Sequence, residues 1–149
     1  MKIYLAADHG GYEHKQQLIN YLKGLGLEVI DCGANQPDPN DDYPEYVASL
    51  AAKMQIDPEG MGIVICRNGV GVSIAANRFT HLRCGLGINE AHVKSARLDD
   101  NINVLAIGAD FFDLLSSQKL VDTFLNTPFS NLERHVRRLA KINQLTSCV

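Results

Sequence analysis

Two short runs in this sequence are apolar almost without interruption: Gly62-Ile63-Val64-Ile65-Cys66 and Asn103-Val104-Leu105-Ala106-Ile107. A strand with one wet face alternates apolar and polar side chains, whereas an unbroken run needs cover on both faces. Such strands belong in the middle of a parallel sheet with helices packed above and below. Further strands are expected at 3–7, 28–32 and 83–88, joining 62–66 and 103–107.

Helical patterns fill the spaces between them. The first sets Leu18, Ile19, Leu22 and Leu25 on one stripe, with Lys15, Gln16, Asn20 and Lys23 facing water, and Gly24 and Gly26 end it. The second has Pro44 in its first turn and Val47, Leu50, Ala51 and Met54 at i, i+3, i+4, i+7. A third follows Arg67-Asn68-Gly69-Val70-Gly71, a fourth starts near Asn89, and a fifth carries Leu120, Val121, Phe124 and Leu125. The last opens on Ser130-Asn131-Leu132-Glu133, a capping-box pattern, and is predicted to bury Leu132, Val136, Leu139 and Ile142. This alternation specifies an α/β fold: a doubly wound, Rossmann-like three-layer sandwich with a five-stranded parallel sheet and a C-terminal helix. One domain is expected over residues 1–149. Ligands bind such sheets beyond the carboxyl ends of the strands, so the residues that follow each strand are the candidates for function.

The formal net charge of −3 argues against a generic nucleic-acid binder, and basic residues gather only at 134–141. No apolar stretch approaches the ~20 residues of a bilayer span, so no membrane partner is expected. The opening Met1-Lys2-Ile3-Tyr4-Leu5 reads as a strand instead of a leader peptide. Cys32, Cys66, Cys84 and Cys148 form neither a CxxC pair nor a zinc-spaced Cys/His pattern. Reduced thiols in a cytoplasmic protein are the expectation, three of the four serving only in packing. The Pro/Asp-rich stretch 35–44 is too short for a domain linker and reads as a site-rim loop.

Three segments at strand ends and in the last helix combine polar chemistry with unusual backbone. After the first strand come Asp8-His9-Gly10-Gly11, where Asp8 is equally at home as a helix cap. After the third come Cys66-Arg67-Asn68-Gly69-Val70-Gly71. The glycines let the backbone bend and approach a ligand, and neighbouring N–H groups there can cradle an anion. A thiol facing a helix N-terminus is favoured as thiolate, although a Cys ending a buried strand can equally be packing. The third element is the last helix, with Arg134, Arg138 and Lys141 at i, i+4, i+7 and His135 and Arg137 alongside. Two guanidiniums one turn apart suit a phosphate; a solvated basic face is the plain alternative.

Taken in order, ADHGGYEHK, EVIDCG, DDYPEYV, GIVIC-x-NGVG-x-SIAANR, NINVLAIGA and ERHVRRL span nearly the whole chain. On these motifs the chain resembles type-B ribose-5-phosphate isomerases and their sisters, the galactose-6-phosphate isomerase subunits. The resemblance implies aldose–ketose isomerisation of a sugar phosphate through a cis-enediolate, with D-ribose 5-phosphate to D-ribulose 5-phosphate as the leading case. It implies Cys66 as the base between C2 and C1, since Val72 stands where some relatives carry a Glu. Asp8 would handle a hydroxyl proton. The amides of Asn68, Gly69, Val70 and Gly71, with the Asn68 side chain, would serve the enediolate oxygens. His9, Arg134 and Arg138 would hold the phosphate, and Asp100 would join the substrate contacts. No metal and no cofactor are implied, and a homodimer or homotetramer with sites shared between subunits is.

Three departures from the family pattern bear on substrate. Asp99 stands where the ring-opening His is usual, Asp110 where an Arg is frequent, and Arg67 where a Gly is usual. Arg67 is accordingly expected among the substrate contacts, compensating for the charge lost at Asp110. Galactose 6-phosphate, a tetrose phosphate, or a role as a partly degenerate subunit of a mixed complex are the alternatives. A flavin or nucleotide binder shares the fold class but would want a Ser/Thr-rich turn where Asp8-His9 stand, and a redox role for Cys66 lacks a nearby resolving Cys.

Overall fold

The computed structural model describes residues 1–145. Strands and helices alternate: β1 (Lys2–Ala7), α1 (Tyr12–Gly24), β2 (Glu28–Asp31), α2 (Tyr43–Ile56), β3 (Met61–Cys66), α3 (Val70–Ala76), β4 (Cys84–Leu86), α4 (Glu90–Asp100), β5 (Val104–Gly108) and α5 (Leu114–Asn126), with α6 (Glu133–Leu145) last. The five strands form one parallel sheet in the order β2-β1-β3-β5-β4. Every residue of β3 and β5 is buried, as their unbroken apolar runs require.

The strands' two-residue period divides the core into two layers. Ile3, Leu5, Ile63, Ile65, Leu105 and Ile107 point to one face and meet Leu18, Ile19 and Leu22 of α1, Val93 of α4, and Leu120, Val121 and Phe124 of α5. Tyr4, Ala6, Val64, Cys66, Val104 and Ala106 point to the other and meet Val47, Leu50, Ala51 and Met54 of α2 and Val72 and Ala76 of α3. Beside the first layer Lys15 is fully buried and does not face water as its place in the helical pattern predicts, because its ammonium finds Asp31 Oδ1 at 2.5 Å, the Ala34 carbonyl at 2.9 Å and the Gly33 carbonyl. That single cation pins the exit of β2 to α1.

The order of strands sets the position of the site. From β1 the chain moves outward to β2, then returns across β1 to β3, so the crossovers diverge between β1 and β3. A crevice opens at the carboxyl ends where such a reversal occurs. Register pairs Ala7 with Ile65 and Cys66 with Gly108, so Asp8, Cys66 and residues 109–110 emerge side by side.

Several sequence expectations need correction. Leu25 lies past the end of α1 and is 56% exposed, because the chain leaves the helix at Gly24 and its side chain no longer follows the stripe. Strand β4 is limited to Cys84–Leu86, since it has only β5 to pair with. The capping box at 130–133 does not form. Ser130 Oγ instead bonds the Leu132 N–H at 3.4 Å and the His135 ring at 2.8 Å, while Glu133 forks onto Arg137. The largest difference is the burial of α6. It packs against α4 through His135, which is buried, leaving Leu132, Val136 and Ile142 exposed and Leu139 half-buried. The apolar stripe is present as read, but the single chain does not cover it.

Candidate active site

The Cys66 sulfur sits at the mouth of a tight backbone loop. Gly69 adopts a φ of +77°, which turns the chain so that its N–H donates to Cys66 Sγ at 3.2 Å. Asn68 Oδ1 accepts the Val70 N–H at 3.0 Å and lies 3.8 Å from the same sulfur. The loop rests directly on the end of β5. A Cβ at Gly69 would stand 2.9 Å from Gly108 N and 3.0 Å from Ile107 C, and one at Gly108 would stand 2.8 Å from Asn68 C. Cys66 is 5% exposed, so the thiol faces the loop and not open water. The other described thiols, Cys32 and Cys84, are pushed up by burial, Cys84 to about 12, as suits packing residues. Cys148 lies outside the described residues.

Beside the sulfur stands the Asp8-His9 turn. Asp8 is buried and accepts the Gly11 N–H at 3.2 Å, which braces the turn before α1, but the N-cap position is Gly11 and no side chain among the described residues caps the helix, so Asp8 is not its cap. Burial raises its pKa, against the opposing pull of His9 and of the Gly11 and Gly10 amides. His9 Nδ1 lies 2.6 Å from Asp41 Oδ1, and the His9 backbone N–H donates to the same oxygen at 3.0 Å. That hydrogen bond raises the His9 pKa and so favours the imidazolium. Burial of the Asp41 side chain is outweighed by the two His9 contacts and the Tyr46 hydroxyl, which leave its pKa lowered. Asp8, His9 and Asp41 bring one ligand atom each within 4.8 Å, the one such grouping among the described residues. Within it His9 Nδ1 and Asp41 Oδ1 meet as a charge pair, while Asp41 Oδ2 is buried without a hydrogen-bond partner among the described residues.

Asp41 was not singled out by residue. Its signal lay in the loop 35–44, which does form the rim. Tyr43, from the same loop, also went unremarked, and its ring and hydroxyl close over Gly71. On the opposite side Arg67 Nε reaches Asp110 Oδ2 at 3.2 Å. The structure therefore gathers Asp8, His9, Cys66, Arg67, Asn68, Gly69, Val70 and Gly71 at one sheet edge.

Asp99, Asp100, Arg134 and Arg138 stand elsewhere. Asp99 ends α4, with Oδ1 3.6 Å from His135 Nδ1 and Oδ2 3.4 Å from Ser95 Oγ. Arg134 Nε donates to His135 Nε2 at 3.0 Å. Arg138 is exposed and has no side-chain partner among the described residues. Asp100 lines a cavity of about 1010 Å³ at the β4 edge, shared with Arg83, Cys84, His92 and Leu139 of α6. No described hydrogen bond or ion pair joins this second group to the Cys66 loop within the protomer.

Residues 3–142 match the model of the ribose/galactose isomerase family. The chain belongs to that family. Among curated members, it is 40% identical to ribose-5-phosphate isomerase B of Mycobacterium tuberculosis over 93% of this chain and 86% of that one. It is 41% identical to a probable ribose-5-phosphate isomerase B of Mycoplasma pneumoniae, over 94% and 91%. Among solved structures, ribose-5-phosphate isomerase B of Mycoplasma genitalium with bound ribulose-5-phosphate superposes with a TM-score of 0.93 at 36% identity, covering 99% of this chain and 97% of that one. The enzyme of Clostridium thermocellum gives 0.94 at 34% identity, covering 99% of each. Isomerase-family membership turns attention to the Cys66 edge, where a sulfur, a carboxyl of raised pKa and a row of amides converge.

Proposed function

We propose that this isomerase interconverts D-ribose 5-phosphate and D-ribulose 5-phosphate with Cys66 as the base. The observation that carries the reading is the Gly69 N–H on the Cys66 sulfur, 3.2 Å away, beside Asp8 at the reversal of the sheet. An N–H hydrogen bond is stronger to a sulfur anion than to a neutral thiol. The thiolate takes the proton from C2, the two electrons move to form the enediol carbon–carbon bond, and the carbonyl at C1 becomes an oxyanion. Return of the proton to C1 yields the ketose. The amides of Asn68 and Gly71, which neither the Cys66 sulfur nor the Asn68 side chain engages, receive the oxyanion charge. Asp8, its pKa raised by burial, passes a proton between the two oxygens. Asp99 of a second copy serves ring opening: it takes the proton of the anomeric hydroxyl as the bond from C1 to the ring oxygen breaks, and that oxygen takes up a proton from water.

Charge balance supports a site shared between two copies. At the Cys66 edge Asp41 offsets His9 and Asp110 offsets Arg67, so those two cations can donate to a phosphate but bring no net positive charge to balance its dianion. Arg134 and Arg138 carry that charge on α6, next to Leu132, Val136 and Ile142, which the protomer leaves uncovered. A homodimer, alone or within a tetramer, that docks α6 of one copy near the Cys66 loop of the other satisfies both needs at once. Three unpaired thiols among the described residues fit a cytoplasmic setting.

The test is a panel of ribose 5-phosphate, galactose 6-phosphate, a tetrose phosphate and free ribose. Turnover restricted to phosphorylated sugars, with kcat lowered about 10²–10⁴-fold in Cys66→Ser, is expected. Undiminished turnover by that variant removes Cys66 as the base. Mixing inactive Cys66→Ser with inactive Arg138→Met should restore about a quarter of wild-type activity, because half the dimers then hold one intact site. No recovery on mixing would mean that each site is built within one chain.

A further inference from the structure

Arg67 follows Cys66 directly, and its side chain runs across the mouth of the site instead of away from it. Its stem lies on the Asp8-His9 turn: a Cβ at Gly10 would stand 2.5 Å from Arg67 Cγ. The cation is near enough to His9 to oppose protonation of that ring. At its far end Nε donates to Asp110 Oδ2 at 3.2 Å. The backbones beneath are joined as well, Asp110 N–H to the Arg67 carbonyl and Ala109 N–H to the Cys66 carbonyl, each at 2.9 Å. Both side chains remain open to water, 71% and 50% exposed. An exposed ion pair of this kind contributes little to stability, so stability does not account for a long cation laid over three strand ends. Nη1 and Nη2 have no hydrogen-bond partner among the described residues.

We propose that Arg67 binds the phosphate of the substrate through these two free nitrogens, and that Asp110 is the positioning residue that holds the guanidinium over the site. The inference rests on the sugar-phosphate reading above and deepens it. A guanidinium held at Nε presents its other edge as a two-pronged donor, the geometry that suits a phosphate. Asp110 also sets a penalty. Without Arg67 its carboxylate would face the phosphate unopposed, so the pair discriminates as a unit: an anion is accepted only while the bridge is intact.

Wild type, Arg67→Met, Asp110→Asn and the double variant are compared on ribose 5-phosphate. Calorimetric binding of inorganic phosphate serves as a readout independent of turnover, and thermal unfolding confirms that each variant is folded. Arg67→Met is expected to raise KM for the phosphorylated sugar about 10- to 100-fold, the loss of a charge-assisted contact, with kcat held within about threefold. Phosphate affinity should fall by a similar factor. In the Asp110→Asn background the same Arg67 substitution should cost severalfold less, because no carboxylate remains to repel the anion. Equal costs in the two backgrounds would remove Asp110 from the proposal. Unchanged KM and unchanged phosphate affinity in Arg67→Met would overturn it. Should wild type isomerise no sugar phosphate at all, the isomerase reading fails, and the phosphate affinities still decide the Arg67 assignment.

Discussion

Gly69→Ala is the substitution whose outcome follows most directly from the geometry around the sulfur, and Gly26→Ala is its control. The two glycines share a backbone conformation, φ +77° and +78°. Gly26 has nothing within 4 Å of the place a Cβ would occupy, whereas Gly69 has Leu86 Cδ1 at 2.8 Å, Gly108 N at 2.9 Å and Ile107 C at 3.0 Å. The left-handed conformation alone costs an alanine about 1–2 kcal/mol, partly offset by the lower entropy of the unfolded chain. Gly26→Ala should therefore destabilise by about 1 kcal/mol. The Leu86 methyl can swing aside, but Gly108 and Ile107 are backbone of a buried central strand, which adds about 1–3 kcal/mol of overpacking at Gly69. To relieve that contact the loop must lift off β5, and the Gly69 N–H moves away from Cys66 Sγ. Loss of a donor of this type lowers kcat about 10²-fold or more. Urea unfolding of both variants gives the two stabilities, and kcat on the folded protein gives the catalytic term. Equal destabilisation by the two alanines would refute the contact argument, and wild-type kcat in Gly69→Ala would refute the role of the amide.

The remaining predictions concern the two buried or bridged cations. Because the Asp41 hydrogen bond raises the His9 pKa, the ring holds its proton above its ordinary range. KM for a phosphorylated sugar should stay low there and climb as pH rises through the His9 pKa, and any stability the pair adds is lost over the same interval. In Asp41→Asn the climb should begin at lower pH; superimposable KM–pH curves for the two proteins would sink the assignment. Lys15→Met leaves the Gly33 and Ala34 carbonyls without their donor, while the exposed Asp31 carboxylate keeps the Gly33 N–H and Gln16, so urea unfolding should report a loss of about 2–4 kcal/mol. A loss below about 1 kcal/mol, within the range of an exposed pair, would show that the ammonium does not pin the β2 exit.

How far the sequence could be read depended on the kind of contact. The unbroken runs at 62–66 and 103–107 announced two-sided burial, and both strands are buried at every position. The Asp8 turn and the Cys66 loop were legible because each follows a strand, and parallel strands bring all their exits to one edge. Asp41 was not legible as a partner of His9, since nothing local marks which carboxylate of a loop will meet an imidazole 32 positions earlier. Arg67 and Asp110 each stood out as departures from the family pattern, yet their mutual bridge depends on the pairing of Cys66 with Gly108. In α6 the expected burial of Leu132, Val136 and Ile142 fails within the protomer, and their exposure shows the limit of periodicity. A hydrophobic pattern states that a face must be buried, not that the same chain buries it.

Gly69 and Gly108 meet back to back, so main chain alone seats the sulfur's loop on the central strand. The Cys66 sulfur thus inherits its coordinates from the scaffold, and neighbouring side chains such as Arg67 and Asp110 hang from it as detachable fittings. On the function proposed above, exchanges at Arg67 or Asp110 would redirect which phosphorylated carbohydrate is admitted while the sulfur stays put, a ready route by which one architecture diversifies its diet.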